Sequence, residues 1–368
     1  MPTNPSNPPT FTATDHAMMA EALRLARNGL WTAEPNPRVG CVIARGEWIV
    51  GRGWHARTGG PHAEVGALAE AGAQARGATA YINLEPCSHH GRTPPCADAL
   101  IDRGIARVVC AMRDPHPSVS GEGMHRLQAA GVEVECGLMQ VQALELNRGF
   151  VSRIERKRPF VRAKLAGSLD AKTSGPDGKS KWITGEAARR DGHRWRARAG
   201  AVLTGIETVL ADDPGLDVRL ANFEKKPLVV VADSQARLPA TAKLLATGAF
   251  VLQVSVDGDS PIPEGCERMV MPAGPDGRVA LEAVLAMLAG RGINELHVEA
   301  GPVLTGALLC QGLVDELLVY QAPCIIGADG AAMLRLPGVE KLDQRLQLDV
   351  LERRAVGRDI RLRLAPRE

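Results

Sequence analysis

The stretch Ala78-Thr79-Ala80-Tyr81-Ile82-Asn83-Leu84-Glu85-Pro86-Cys87, resumed at Cys96-Ala97-Asp98-Ala99-Leu100-Ile101-Asp102-Arg103-Gly104, decides the fold. Ala78–Leu84 reads as a strand running straight into Glu85-Pro86-Cys87. Cys96–Arg103 reads as a helix that stops at Gly104. Upstream, Pro61-His62-Ala63-Glu64 opens a second helical pattern, Ala63–Ala71, which ends at Gly72. His62, Cys87 and Cys96 therefore all sit where a strand or loop meets a helix. In an open α/β sheet such junctions gather at one edge, where ligands bind.

One imidazole and two thiols suit a zinc ion whose fourth position is left to water, which is a catalytic layout. Cys96 at a helix N-terminus gains from the lowered thiol pKa there. Glu64 need not be a ligand; beside such a centre it is placed to move protons between a metal-activated water and a substrate. His-x-Glu with Pro-Cys and a further Cys is similar to the pattern of the zinc nucleobase deaminases, which implies hydrolytic deamination of an amino-heterocycle. The spacing departs from that pattern. Two residues commonly separate the cysteines, whereas Cys87 and Cys96 lie nine positions apart (96 − 87), so Ser88–Pro95 must loop out and return.

The rest of the chain bounds the reading. At 368 residues it exceeds one ordinary core, so two domains are expected. A net charge of +2 and only 3% aromatics argue against a nucleic-acid partner and against a stacking platform for bases. Eight scattered cysteines, mostly in apolar runs, fit free thiols of a reducing compartment. No signal peptide and no membrane-spanning run is visible, so the expectation is cytoplasmic.

The first half alternates helix and strand, which predicts a mainly parallel sheet with helices on both faces. Its helix at residues 15–26 follows a possible Asp15 cap; Val39–Ala44 and Trp48–Val50 form a hairpin about Arg45-Gly46. The predicted division is a disordered tail at 1–12, a first domain at 13–150, a charged connector at 151–158 ending before Pro159, and a second domain at 159–368. The second domain is again α/β. Strands are expected at Pro159–Leu165, Gly200–Gly205, Pro227–Asp233, Glu295–Gly301, Glu316–Gln321 and Asp359–Leu364, with helices at Val279–Leu288 and Leu304–Cys310. It lacks G-x-G-x-x-G after a strand. Gly301–Ala307, a strand–turn–helix junction, is the candidate phosphate cradle.

Further motifs carry a resemblance. Pro35–Gly40 (P-N-P-R-V-G), Gly53–His55 (G-W-H), P-H-A-E and Glu85–Cys96 (E-P-C-S-H-H-G-R-T-P-P-C) stand in the first half. Lys164–Asp170 (K-L-A-G-S-L-D), Lys181–Gly185 (K-W-I-T-G), Leu210–Leu216 (L-A-D-D-P-G-L), Val231–Ser234 (V-A-D-S) and Val298–Leu309 (V-E-A-G-P-V-L-T-G-A-L-L) stand in the second. Together they resemble the bifunctional riboflavin-biosynthesis deaminase/reductase family over nearly the whole chain. Only Ser174–Lys179, rich in Gly and Pro, departs from the usual linker before Ser180.

The resemblance implies a cytidine-deaminase-like three-layer α/β/α domain followed by a dihydrofolate-reductase-like α/β domain. It implies Zn2+ and NADPH as cofactors, a phosphorylated pyrimidine as substrate, and a homo-oligomer, dimer or tetramer. His62, Cys87 and Cys96 would hold zinc, with Glu64 as proton shuttle. Asn36, His55, His89 and Arg92 would contact the deaminase substrate. Ala166, Trp182, Thr208, Asp212, Ser234 and Gly301, Pro302, Val303, Leu304, Thr305, Gly306 and Ala307 would line the cofactor site. Ser180, Arg196, Leu216, Arg219 and Glu299 would face the reductase substrate, with Lys164 or Asp170 supplying a proton. The competing readings are a zinc deaminase of a free base, nucleoside or tRNA, and a non-catalytic zinc module. A structural site would take four protein ligands and need no carboxylate shuttle.

Overall fold

The computed structural model describes residues 10–88, 94–117, 119–221 and 223–367. The expected tail at 1–12 therefore falls largely outside the described residues. The chain divides into two compact units, Met1–Arg156 and Lys157–Glu368.

The first unit contains α1 (Ala13–Ala26), β1 (Gly40–Arg45), β2 (Trp48–Trp54), α2 (Ala63–Ala71), β3 (Thr79–Ile82), α3 (Cys96–Asp102), β4 (Arg107–Cys110), α4 (Glu122–Ala129), β5 (Glu133–Cys136) and α5 (Gln140–Glu155). Its sheet runs β2-β1-β3-β4-β5. Strand alternation sorts side chains onto two faces. Cys41, Ile43, Ala80, Ile82, Val108 and Cys110 pack with α2, α3 and α4. Val42, Ala44, Tyr81 and Val109 pack with α1 and α5. The result is a three-layer α/β/α unit.

Three expectations need correction. The sheet is mixed rather than mainly parallel: β1 pairs antiparallel with both β2 and β3, and only β3–β4–β5 are parallel. The hairpin imposes the β1–β2 reversal, because a two-residue turn can only reverse the chain. The connector expected at 151–158 is helical through Glu155, since α5 continues to bury side chains through Phe150 and Ser152. Asp15 is not the helix cap. Thr12 caps α1, and Asp15 is its capping-box partner three residues on.

Asp15 does more than cap. Its buried carboxylate accepts hydrogen bonds from Thr12 N and Oγ1 (2.9 and 2.8 Å), Tyr81 Oη (2.8 Å) and Arg107 Nη1 (2.7 Å). Burial alone would raise this carboxyl, but the bonds from Arg107, Thr12 and Tyr81 outweigh it and hold it well below the usual range.

The second unit contains β6 (Phe160–Gly167), β7 (Lys172–Ser174), α6 (Glu186–Arg198), β8 (Ala201–Gly205), α7 (Ile206–Asp212), β9 (Leu228–Ala232), β10 (Val251–Ser255), β11 (Cys266–Val270), α8 (Leu281–Gly290), β12 (Glu295–Val298), α9 (Pro302–Cys310), β13 (Glu316–Gln321), β14 (Ala331–Ala332), β15 (Leu348–Val356) and β16 (Asp359–Pro366). The main sheet runs β11-β10-β9-β8-β12-β6-β13-β16-β15. It is parallel from β11 to β13, with β16 and β15 added antiparallel. One face packs α8 and α9 over Val161, Leu203, Val230, Leu252 and Val298. The other packs α7 and Leu216, Leu238 and Leu244 over Val202, Val229 and Val251. Among the described residues no helix is long and apolar enough to cross a membrane. All eight cysteines are free.

Asp15→Asn removes a charge that four donors satisfy, and is expected to cost about 2 kcal/mol at neutral pH. A depressed carboxyl adds stability above its unfolded pKa and loses it as pH falls through the folded value. The gap between wild type and Asp15→Asn in urea unfolding should therefore be full above about pH 4 and narrow in stronger acid.

Candidate active sites

In the first unit the three metal-type side chains converge. His62 is the N-cap residue of α2, Cys87 follows β3, and Cys96 opens α3. Their donor atoms all lie within 4.8 Å of one another. His62 Nδ1 is 3.2 Å from Cys96 Sγ and 3.6 Å from Cys87 Sγ, and the Cys96 backbone N–H points at Cys87 Sγ (3.3 Å). The nine-position gap between the cysteines thus closes onto one point.

The donor set fits a zinc ion in chemistry as well as position. Hydrogen bonding from Cys96 and then from His62, against the opposing effect of burial, lowers the Cys87 thiol to about 4, while the same partnership raises Cys96. Zinc binding needs these thiols deprotonated, and a divalent cation among them stabilises that form. Glu64, on the first turn of α2, is 3% exposed. Burial and the neighbouring Cys87 charge raise its carboxyl above the ordinary range. A carboxyl that holds a proton more readily than usual suits a group that must both take and give one.

His55 and Asn36 lie beside this centre. The His55 and His62 rings meet edge to face at 5.7 Å. His55 Nδ1 donates to Pro61 O (3.0 Å), so its Nε2 accepts from Asn36 Nδ2 (3.0 Å). Burial lowers the His55 pKa and keeps it neutral. His89 and Arg92 lie outside the described residues. Sequence reasoning misses two buried asparagines that hold the Pro35–Gly40 segment in place. Asn147 accepts from Arg38 N (2.8 Å) and donates to Arg38 O (3.0 Å), while Asn83 donates to Arg38 O (2.9 Å) and accepts from Gly40 N (2.7 Å). Nothing in a lone Asn announces such a brace until the fold brings α5 alongside.

In the second unit, Gly301 is the N-cap residue of α9, with Pro302 in the first turn. The Gly301 N–H donates to Thr208 Oγ1 on α7 (3.0 Å), which joins two of the expected cofactor positions. Ser180 Oγ donates to Asp212 Oδ1 (2.8 Å), joining two more of the expected site positions. Val303 is exposed at the helix start, but Thr305 and Gly306 are buried in the body of α9 and offer no side chain to a ligand. Ser234, at the end of β9, accepts from Val279 N through Oγ (3.0 Å). Ala166 is half-buried on β6. Trp182 is not a core aromatic: it is 65% exposed, with the Arg189 guanidinium 4.4 Å over its ring.

A charged cluster joins the middle of β6 to the ends of α6 and β12. Glu299 pairs with Arg196 (2.6 Å) and Lys164 Nζ (3.9 Å), and the buried His297 Nε2 lies 3.4 Å from it. Burial would raise the Glu299 carboxyl, but Arg196 and its other partners hold it well below the usual range. Arg196 also donates to Asp217 O. Arg219 approaches His193 with its backbone N (3.3 Å) and Nε (3.4 Å). Sequence reasoning misses both His193 and His297, one inside a charge-dense helix and the other inside an apolar strand.

Two expected roles change. Leu216 buries its side chain among the apolar residues under α7, so only its backbone is left to face a substrate. Asp170 accepts from Ser168 Oγ (2.5 Å), Gly327 N (2.8 Å) and Ile326 N (3.1 Å). Those bonds lower its pKa to about 2. It ties two loops together and has no proton to give at neutral pH.

Fold and site geometry define a class: a zinc-type base deaminase unit followed by an α/β unit with a nucleotide-type helix N-terminus. Residues 12–112 match the cytidine and deoxycytidylate deaminase zinc-binding region, and residues 159–362 match the RibD C-terminal domain. The riboflavin biosynthesis protein RibD of Escherichia coli K12 is 46% identical over 95% of this chain and 99% of its own. Two solved structures superpose over 96% of this chain and 99% of theirs, each with a TM-score of 0.89. One is Acinetobacter baumannii RibD, 42% identical. The other, 31% identical, is the Thermotoga maritima diaminohydroxyphosphoribosylaminopyrimidine deaminase/5-amino-6-(5-phosphoribosylamino)uracil reductase. The chain belongs to the RibD family, the bifunctional zinc-dependent deaminases and NADPH-dependent reductases of riboflavin biosynthesis.

One glycine carries the geometry of the zinc pocket. A Cβ on Gly53 of β2 would lie 2.0 Å from Ala63 O at the start of α2, so α2 can seat His62 and Glu64 only against a bare backbone. Gly53→Ala should displace α2, cost about 1–3 kcal/mol and lower the zinc content of the purified protein, measured by metal analysis.

Proposed function

We propose that this enzyme deaminates 2,5-diamino-6-(5-phosphoribosylamino)pyrimidin-4(3H)-one and then reduces the ribosyl side chain, yielding 5-amino-6-(5-phosphoribitylamino)uracil. The observation that carries the first step is the convergence of His62, Cys87 and Cys96 beside the buried Glu64. Bound by those three residues, zinc would supply the Lewis acidity that brings the pKa of a water to about 7. Water adds at C2, the C2–N bond breaks and ammonia leaves. Glu64 accepts the proton of the attacking water and delivers protons to the ring nitrogen and the departing amine. Asn36, its amide donating to His55, turns its carbonyl oxygen toward the pyrimidine edge. His89 and Arg92 complete the substrate contacts in this reading.

In the second unit the first turn of α9, from Gly301 to Leu304, receives the cofactor phosphates, with Thr208, Asp212, Ser234, Ala166 and Trp182 around the nucleotide. Bound there, NADPH would supply a hydride. To receive it, the ribosylamine must open to an imine, its C1′–O4′ bond breaking as O4′ takes a proton, and the nitrogen must regain a proton once C1′ is reduced. Lys164 is the group placed to donate or polarise, since Asp170 is committed to its loop. Arg219, with Arg196 held by Glu299, gives the cationic side needed for the ribose phosphate. Ser180 and the Leu216 backbone border the same substrate. The reading includes a cytoplasmic homo-oligomer, dimer or tetramer, which light scattering of the purified protein checks.

Glu64→Gln is expected to keep its zinc while ammonia release falls at least a hundredfold. NADPH oxidation on the deaminated intermediate should persist. Unaltered ammonia release would remove Glu64 from the mechanism. Lys164→Met should lower reductase turnover by about tenfold or more with deamination intact. Wild-type turnover in that folded variant would exclude Lys164.

A further inference from the structure

We infer that α4, which has no residue in the His62–Cys87–Cys96 cluster found among the described residues, sets the spacing of the two thiols by clamping the segment before Cys87 and the helix that starts at Cys96. The inference rests on the zinc reading above and adds positioning residues to it. Glu85, two residues before Cys87 and 3% exposed, spends its whole carboxylate on backbone donors. Its Oε1 accepts from Gly123 N (3.0 Å) and Met124 N (3.3 Å), in the first turn of α4. Its Oε2 accepts from Gly121 N (3.0 Å) and Asp114 N (3.2 Å). The negative charge lies at the helix N-terminus, where the exposed N–H groups favour it.

Two further contacts complete the clamp. A Cβ on Gly123 would lie 2.0 Å from Pro86 O, so α4 rests directly on the residue next to Cys87. One turn along, Arg126 forms an ion pair with Asp98 on α3 (2.5 Å), two residues after Cys96, and donates to Ser88 O (3.4 Å), one residue after Cys87. One short helix therefore grips both thiol-bearing segments, through Glu85 on one side and Arg126 on the other. Groups that orient metal ligands commonly change metal affinity about 10–100-fold when removed.

Glu85→Gln keeps the side chain's shape but turns an NH2 toward backbone N–H donors. In the full-length protein it is expected to weaken zinc binding about tenfold or more in a chelator competition. It should also shift the visible spectrum of the cobalt(II)-loaded protein, which reports thiolate geometry directly. Arg126→Met, at a largely exposed side chain, should move both readouts in the same direction by a smaller factor. Circular dichroism and the urea-unfolding midpoint of the purified variants control for intact folding. Wild-type zinc affinity and an unchanged cobalt spectrum in both variants overturn the clamp. If Glu85→Gln does not fold, Arg126→Met decides alone. A wild-type protein that binds neither ion overturns the zinc reading itself and the clamp with it.

Discussion

Everything in the first unit answers to one requirement: an imidazole nitrogen and two thiols, 34 positions apart in the chain from His62 to Cys96, must hold their donor atoms within 4.8 Å. Zinc–ligand bonds of about 2.0–2.3 Å tolerate little error, so the backbone carrying each donor has to be rigid. The protein meets this by placing every donor at an element boundary on one sheet edge. β3 delivers Cys87, α3 begins at Cys96, and α2 begins after His62. The close approach of α2 at Gly53 and of α4 at Gly123 leaves those boundaries little room to shift.

Electrostatics then divide the labour. In the first unit a buried thiol pair and a raised carboxyl crowd negative charge into a small space, which a cation relieves. In the second the balance is reversed. Three cations, Lys164, Arg196 and Arg219, stand against two carboxylates, Glu299 and Asp217. The first site holds a metal-type donor set, and the second a network of paired charges.

Much of this architecture is legible in the chain itself. The strand–Glu-Pro-Cys junction, the two helix starts at His62 and Cys96, and the turn at Gly301 are local patterns carried by a few consecutive residues, and the fold has them where expected. What escapes a sequence reading are features whose signal is not local. The charged residues of α6 hide its apolar period, with only Ala188 and Ala197 buried, yet this helix carries His193 and Arg196. The antiparallel pairing of β1 with β3 and the helical character of 151–155 likewise depend on partners far along the chain.

The amino-acid order by itself determined the chemistry: which donors exist, which carboxyl accompanies them, and that helices would start beside them. Capping, turn formation and apolar alternation act over a few residues, so they survive in any short stretch. Tertiary structure alone decided which polar groups are engaged and which are left to react. Asp170 became a loop tie, Leu216 a core residue, and Asn83 and Asn147 a brace for Arg38. Hydrogen-bond satisfaction and burial are properties of the packed interior, and they come into being only when distant segments meet.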